Sequence, residues 1–411
     1  MKTFNKIITI LLILVLCLPF LTGCYDAVSI ETLAYVIAVG IDKGENNNLK
    51  LSFQIAALSN ASSNDGGSSS QYKSASVISV DCSTIDHGIN LINSYISKKI
   101  NLSHCKAIII SEDLAYDGLS EYIFTFVNNI EVRPNCNVLI SKCTANDFLN
   151  MFQPSLESVS ARYYELILNS SSYSGYIDNI YLADFYEKIL DTTSQASTLL
   201  VNINDKSLHT QDINSENKLN GNYLAGETPI NSTSKTEIMG LTAFKEDKLV
   251  GELNNLETLC HLIVTNKLEK GIIVIPNPFN TQSNISLSIG LYRDTSISAE
   301  LVNNFPYISC NISIKANVTS MDYTIDLSDS ENLKFLEECL NEYLEENISS
   351  YLYKTSKEFK SDIVGFGHCF LPKYLTWLDW CDTDWLNNYE NSTFKINVSS
   401  NVESGYLYTK I

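Results

Sequence analysis

The sequence has little positive charge: 28 Lys and Arg stand against 47 Asp and Glu, a formal net charge of −19 over 411 residues. Proteins that bind nucleic acid use Lys and Arg to displace counterions from phosphates, so this balance excludes a nucleic-acid partner. The same deficit argues against an anionic lipid surface as an electrostatic partner. Any attachment to a membrane therefore needs another source.

Long apolar runs are scarce as well. One run lies between Ile7 and Leu18 and is broken only by Thr9. A bilayer core about 30 Å thick needs about 20 apolar residues, so this run is too short to span it, and no later run is long enough. Because Lys2 and Lys6 precede it, the run is typical of a cleaved signal peptide. We expect no transmembrane helix.

The signal run is followed by Leu21-Thr22-Gly23-Cys24, the pattern of a lipoprotein signal. In such a signal the cysteine thiol takes a diacylglyceryl group, and cleavage leaves that cysteine as the first residue. An ordinary secretory signal that happens to contain a cysteine is the alternative, and the spacing favours the lipoprotein. Two acyl chains hold a protein stably at a membrane. We predict signal cleavage between Gly23 and Cys24, lipidation of Cys24, and a protein anchored on the outer face of a membrane.

Apart from Cys17 in the signal and Cys24, nine cysteines remain. They are irregularly spaced, odd in number and without a Cys-x-x-Cys pair, which does not fit a small disulfide framework. Most lie within or beside apolar runs, where a free cysteine behaves as a small hydrophobe. We expect mostly buried free thiols at Cys82, Cys105, Cys136, Cys143, Cys260, Cys310, Cys339, Cys369 and Cys381.

Hydrophobic periodicity predicts the fold class α/β (α+β), with mixed sheets and packed helices. A hairpin of strands 33–41 and 49–55 leads into alternating helices and strands. Strands 238–244 and 248–252 form a second hairpin. A third is predicted from 310–318 and 321–327 about a Thr-Ser turn, followed by a long acidic helix over 331–360 and a strand near 394–398. The C-terminal region from residue 310 onwards is predicted to form an antiparallel sheet with helices on one face.

The chain is too long for one ordinary domain. We predict a signal peptide over 1–23, an N-terminal α/β domain over 24–191 and a linker-like segment over 192–235 that contains a short strand at 198–203. A middle domain over 236–290 and a C-terminal α/β domain over 291–411, with the antiparallel sheet and the long acidic helix, complete the prediction.

No residue pattern indicates catalysis, a cofactor or a metal. The five histidines are scattered singly, whereas a zinc site needs several ligands at short spacing. Ser103 and Lys106 formally fit a Ser-x-x-Lys motif, but Cys105 between them begins a predicted strand, and that motif requires a helical turn. Nothing places two carboxylates together for glycoside hydrolysis. We predict no catalytic, cofactor-binding or metal-ligating residues.

The most distinctive late feature is an aromatic cluster of Tyr374, Trp377, Trp380 and Trp385. Trp377 and Trp380 are three residues apart, so they could share one face of a helix. Two interpretations stay open: a packed aromatic lid over the last sheet, which is favoured, or a platform on which a ligand such as a sugar stacks.

Several short motifs, in this order, resemble the Ger(x)C lipoproteins, the C subunits of nutrient germinant receptors in spore-forming bacteria. Tyr25 stands where the family usually has Trp. The motifs are Gly23-Cys24-Tyr25-Asp26, Val39-Gly40-Ile41-Asp42-Lys43, Glu131-Val132-Arg133-Pro134, Gly240-Leu241-Thr242-Ala243-Phe244 and Asp362-Ile363-Val364-Gly365-Phe366-Gly367.

The resemblance implies three small α/β domains and a non-enzymatic protein on the outer face of the spore's inner membrane. It also implies two membrane-embedded partner subunits, with which the C subunit makes a working receptor. Of the family's site residues, only Cys24 carries over. A solute-binding lipoprotein that delivers a small molecule to a transporter is the alternative, and it predicts two similar lobes. A tethered surface hydrolase is a third, weaker hypothesis.

Overall fold

The computed structural model describes residues 2–17, 29–46, 48–56, 75–153, 156–157, 159–204, 219–280, 282–303, 305–321, 326–327 and 329–403. Gly23 and Cys24 lie outside this part of the chain.

Thirteen strands lie within these ranges: β1 (Leu33–Lys43), β2 (Leu49–Ala56), β3 (Ala75–Cys82), β4 (Lys99–Asn101), β5 (Ala107–Ser111), β6 (Asn137–Ser141), β7 (Ser197–Ile203), β8 (Thr236–Lys245), β9 (Lys248–Leu253), β10 (Gly271–Pro276), β11 (Asn284–Val302), β12 (Phe305–Met321) and β13 (Thr393–Glu403).

The α-helices of the described residues are α1 (Lys2–Cys17), α2 (Ile85–Tyr95), α3 (Glu112–Ala115), α4 (Ser120–Asn128), α5 (Ala145–Met151), α6 (Ser160–Leu168), α7 (Leu182–Leu190), α8 (Asn255–Val264), α9 (Ser330–Tyr353), α10 (Gly367–Phe370), α11 (Trp377–Cys381) and α12 (Trp385–Asn388).

Strands β1 to β9 form one mixed sheet in the order β3-β2-β1-β5-β6-β7-β8-β9, with β4 beside the start of β1. The central strands β1, β5, β6 and β7 are parallel, and the flanking pairs are antiparallel hairpins. Every residue of β5 and β6 is buried. Continuous apolar runs of this kind suit parallel strands that are covered on both faces.

Helix α5 closes the carboxyl end of β1. The buried Asp42 carboxylate accepts hydrogen bonds from the backbone N–H groups of Ala145 (2.7 Å) and Asn146 (2.9 Å), at the start of α5. These N–H groups have no partner within the helix, so the carboxylate satisfies them. A Cβ at position 40 would lie 2.9 Å from Leu149 Cδ1, so Gly40 lets the helix approach closely. The chain itself therefore fills this end of the central sheet.

The second sheet has the order β10-β11-β12-β13. The predicted hairpin of strands 310–318 and 321–327 is wrong: Thr319 and Ser320 lie within β12, whose antiparallel partner is β11. The alternation of apolar residues continues along β11, where Leu287 and Ile289 pair with Val318 and Ala316, and this longer match sets the pairing.

The predicted antiparallel arrangement of this sheet also needs correction, because β13 runs parallel to β12. Helix α9 lies between the two strands in the chain and returns it to the end at which β12 began, as a crossover between parallel strands requires. The predicted long helix is confirmed, with a buried apolar stripe of Leu336, Leu340, Leu344, Ile348 and Leu352. It ends in a π-helical turn, Lys354–Phe359.

Polar side chains hydrogen-bond to both outer strands of this sheet. The N–H groups of Val398 and Val402 in β13 donate to the carboxylates of Glu345 (2.7 Å) and Glu337 (2.8 Å) on α9. At β10, Asn220 accepts from the Val274 N–H (2.8 Å) and donates to its carbonyl (2.7 Å). The polar face of α9 therefore has a structural role.

The predicted fold class, α/β (α+β) with mixed sheets and packed helices, is confirmed. Strand β7, predicted inside the linker-like segment 192–235, lies in the interior of the first sheet between β6 and β8. Residues 205–218 of that segment fall outside the described residues. The sheets run across the predicted limits at 191, 235 and 290, and the division into domains stays a prediction.

Candidate functional site

The predicted lipid attachment site, Cys24, lies between two described stretches. Helix α1 precedes it, and the body of the protein begins at Ser29, four residues ahead of β1. Among the described residues no helix is long and apolar enough to cross a membrane. Signal cleavage at Gly23 and lipidation at Cys24 stay predictions.

No group of three or more His, Cys, Asp or Glu in the described ranges is placed to hold a metal ion, and His209 lies outside those ranges. The buried His261 shares a hydrogen bond between its Nδ1 and the Tyr351 hydroxyl (2.7 Å). Burial lowers the pKa of His261 well below its usual value, and Lys267 and Lys188 lower it further. The nearest carboxylate, Asp178, lies 3.8 Å from Nε2 and is engaged by Lys267 at 2.8 Å.

Because His261 is buried, we expect the free energy of unfolding to depend on pH. Below about pH 6.5 the unfolded chain binds a proton at this histidine and the folded chain does not, so stability falls as pH falls. We expect the wild-type free energy of unfolding to lose up to about 1.4 kcal/mol per pH unit from this group below pH 6.5. Urea titrations at several pH values should show a steeper acid loss for wild type than for His261→Gln. Parallel curves would contradict the assignment.

The remaining cysteines follow the prediction of mostly buried free thiols. All nine are free, and five of them are fully buried. The Sγ atoms of Cys105 and Cys136 lie 3.7 Å apart, and the hydrogen bond between them raises the pKa of Cys136 well above its usual value. A protonated thiol is a weak nucleophile, which agrees with a packing role.

A cavity of about 300 Å³ opens at the amino ends of β5 and β6, beside α6. Ser103, His104 and Lys106 line it ahead of β5, so the formal Ser-x-x-Lys pair borders the cavity. The Lys106 ammonium lies 2.5 Å from the Glu165 carboxylate, with which it forms an ion pair. The lysine is thereby committed to a carboxylate, as expected for a motif that occurs by coincidence.

Four charged side chains line this cavity: Lys106, Arg133, Arg162 and Glu165. Arg162 Nη1 lies 3.3 Å from Glu165, and the hydrogen bond from Lys106 lowers the pKa of Glu165. Arg133 forms no ion pair with any described residue. The cavity is therefore lined by three cations and one carboxylate, although the chain as a whole is strongly acidic.

Tyr164 also lines the cavity, and its hydroxyl has no hydrogen-bond partner among the described residues. The side chain is fully buried, and its ring stacks on Phe152 at 4.3 Å between centroids. A buried hydroxyl without a partner costs about 1–3 kcal/mol, so its position calls for an explanation.

Sequence reasoning missed this cavity because its residues come from four separate segments of the chain. The signal was present in the composition: the chain contains only three arginines, Arg133, Arg162 and Arg293. Two of the three line the cavity.

A second polar centre surrounds Asp362, which is fully buried. Its Oδ1 accepts hydrogen bonds from the N–H groups of Gly365 (2.8 Å) and Phe366 (3.1 Å). Its Oδ2 accepts from the Gly367 N–H (3.0 Å) and the Trp385 indole (3.0 Å). Burial raises the pKa of Asp362, and these four donors oppose the rise.

The Asp362 loop also joins the two halves of the chain. The Asp362 carbonyl accepts from the Gln195 N–H (2.8 Å), just ahead of β7, and the Ser361 hydroxyl donates to the Phe244 carbonyl in β8 (2.5 Å). The loop therefore connects the first sheet to the C-terminal aromatic side chains.

The aromatic cluster is a packed lid, as the favoured interpretation predicted. Trp380 is 2% exposed and Trp385 4%, with 6.3 Å between their ring centroids, and Tyr389 links them to Phe394 of β13. Trp377 does not take part, because its side chain is 59% exposed at the start of the short α11. The two tryptophans therefore do not form a shared stacking platform.

Comparisons with known proteins agree with this architecture. A family model for the spore germination protein N-terminal domain matches residues 26–203, and a model for the spore germination B3/GerAC-like C-terminal region matches residues 239–405. YfkR of Bacillus subtilis (strain 168) is 23% identical over 414 residues, covering 100% of this chain and 98% of that protein. Spore germination protein KC of the same organism is 24% identical over 369 residues, 89% of this chain and 86% of that protein.

Among solved structures, the crystal structure of the GerBC protein is similar, with a TM-score of 0.54 and 15% identity over 89% of this chain and 96% of that one. That likeness shows the fold alone. The two family models together place the chain in the class of spore germination proteins. The chain belongs to the Ger(x)C family.

Proposed function

We propose that the chain is a lipid-anchored, non-enzymatic subunit of a nutrient germinant receptor. In this proposal the diacylglyceryl group on Cys24 holds it on the outer face of the spore's inner membrane. Two membrane-embedded subunits are its partners, and it acts through assembly or signalling with them.

The observation that carries the proposal is the family match, which begins at residue 26 and extends over both halves of the chain. The lipoprotein motif Leu21-Thr22-Gly23-Cys24 stands directly ahead of that match. A tether confines the body to within a few nanometres of membrane-embedded partners, so their effective concentration rises without any new contact. The buried polar groups at Asp42 and Asp362 are used in structural hydrogen bonds.

The test is complementation in a spore-forming host that lacks this gene and every other nutrient receptor but keeps the genes of the two proposed partner subunits. Wild type, Cys24→Ala and Cys17→Ala are returned in turn. Cys17 is the matched control, because the signal peptide that contains it is predicted to be removed. We expect Cys24→Ala to lower the rate of nutrient-induced germination at least about tenfold and to leave the membrane fraction, because tethering accounts for that factor. Cys17→Ala should behave as wild type.

Calcium dipicolinate, which bypasses nutrient receptors, should germinate all these spores equally. Full activity of Cys24→Ala in the soluble fraction would overturn the anchoring part of the proposal. A normal nutrient response in the deletion strain would overturn the receptor role and favour the solute-binding alternative.

A further inference from the structure

We propose that the cavity between β5, β6 and α6 binds a small organic dianion, a dicarboxylate or a phosphate ester. Binding can be measured on the purified protein, so its outcome does not depend on the receptor role proposed above.

The charge of the cavity departs from that of the whole chain. Lys106, Arg133 and Arg162 face one carboxylate, Glu165, which leaves two positive charges in excess. The chain as a whole carries −19. An excess of two cations in a concave site suits an anion of charge −2, because it would neutralise the site.

The choice of residue type points the same way. Arginine presents a planar fork of donors that matches the oxygens of a carboxylate or phosphate, which a lysine ammonium does not. The sequence uses lysine almost everywhere else, yet it places two of its three arginines here. Arg133 has no carboxylate partner among the described residues, so its donors remain available to a ligand.

The unsatisfied hydroxyl of Tyr164 is the second, independent observation. The Tyr164 side chain lines the cavity, and its hydroxyl is buried and lacks a hydrogen-bond partner in the described structure. An unsatisfied buried group in a folded protein calls for an explanation, and an ordered water or a bound ion is one of those known. A volume of about 300 Å³ lies at the lower end of the range for small-molecule sites, so the ligand is small.

The location is consistent with the fold. In open α/β sheets, ligands usually bind at the carboxyl ends of the strands. Here α5 and the Asp42 carboxylate occupy that end, as described above. The amino end, with its three cations, is the open one.

The test is calorimetric titration of the full chain, purified in detergent, with succinate, glycerol 3-phosphate and, as a singly charged comparison, acetate. We expect saturable binding of at least one dianion and at least tenfold weaker binding of acetate. Arg133→Gln and Arg162→Gln should each weaken the dianion at least tenfold. Arg293→Gln is the matched control, because Arg293 lies outside the cavity with its Nε bonded to the Ser313 hydroxyl, and it should leave affinity unchanged.

Tyr164→Phe should weaken binding about fivefold if the hydroxyl bonds to the ligand, the loss expected for one hydrogen bond. Preference for succinate would identify a dicarboxylate site, and preference for glycerol 3-phosphate a phosphate-ester site. Absence of saturable binding of both dianions at 10 mM, on the order of the weakest useful affinity, would overturn the proposal. So would dianion binding that Arg133→Gln leaves intact while the variant folds normally.

Discussion

Replacing Asp362 with alanine is expected to destabilise the protein by about 3 kcal/mol, because it removes the acceptor of four buried hydrogen bonds. The substitution leaves three backbone N–H groups and the Trp385 indole N–H without an acceptor in a buried site. Unsatisfied buried donors cost about 1–3 kcal/mol each, although these four share one loop and do not add independently. Urea denaturation of wild type and variant measures the loss.

Two further variants separate the carboxylate's role from an unspecific effect. Asp362→Asn keeps one oxygen acceptor and should lose less than Asp362→Ala. Asp382→Ala removes an exposed carboxylate from the same C-terminal region and should change stability by no more than about 0.5 kcal/mol. Equal losses for Asp362→Ala and Asp382→Ala would show that the hydrogen bonds at Asp362 contribute nothing specific.

Gly367→Ala is the second substitution with a large expected effect, a loss of about 3 kcal/mol, at the upper end of the range for overpacking. A methyl group at this position would overlap the carbonyl oxygen of Thr193, and it would also meet the Trp385 indole nitrogen. A backbone carbonyl cannot move aside as a flexible side chain can, so the loop would have to shift away from the first sheet.

The matched control for Gly367→Ala is Gly365→Ala. Gly365 has φ +88°, but a Cβ there would meet nothing closer than 3.2 Å. Its cost should therefore reflect backbone strain alone, about 1–2 kcal/mol. Thermal or urea unfolding of both variants compares the two costs. If Gly365→Ala proved the more damaging, the steric explanation at Gly367 would be wrong.

The sequence was most informative where a local pattern determines a local structure. Strict alternation identified β12 and the 3.6-residue stripe identified α9, because both patterns follow from which side chains face the core. The partner of β12 was not predictable in the same way. Several apolar strands satisfied the alternation, and pairing depends on the path of the whole chain.

Two of the motifs that indicated the family resemblance, those at 39–43 and 362–367, make contacts that stabilise the fold. Gly40 and Asp42 position α5, and the run from Asp362 to Gly367 connects the first sheet to the C-terminal aromatic side chains. Their structural tasks could not be read from the sequence, because the partners of each are more than 100 residues away or in another element. The cavity was hidden for the same reason, since a cluster of charge becomes visible only after Lys106, Arg133 and Arg162 meet.

The side chains that bond to the outer strands of the second sheet limit how copies of the chain can associate. An open strand edge invites a second molecule to add its own strand, which leads to aggregation. Here Glu337 and Glu345 occupy donors of β13, while Asn220 and Pro276 leave β10 a poor template. Copies of the chain brought side by side, as the proposed membrane anchor would bring them, would therefore not pair through the edges of this sheet, and their contacts would be left to side chains.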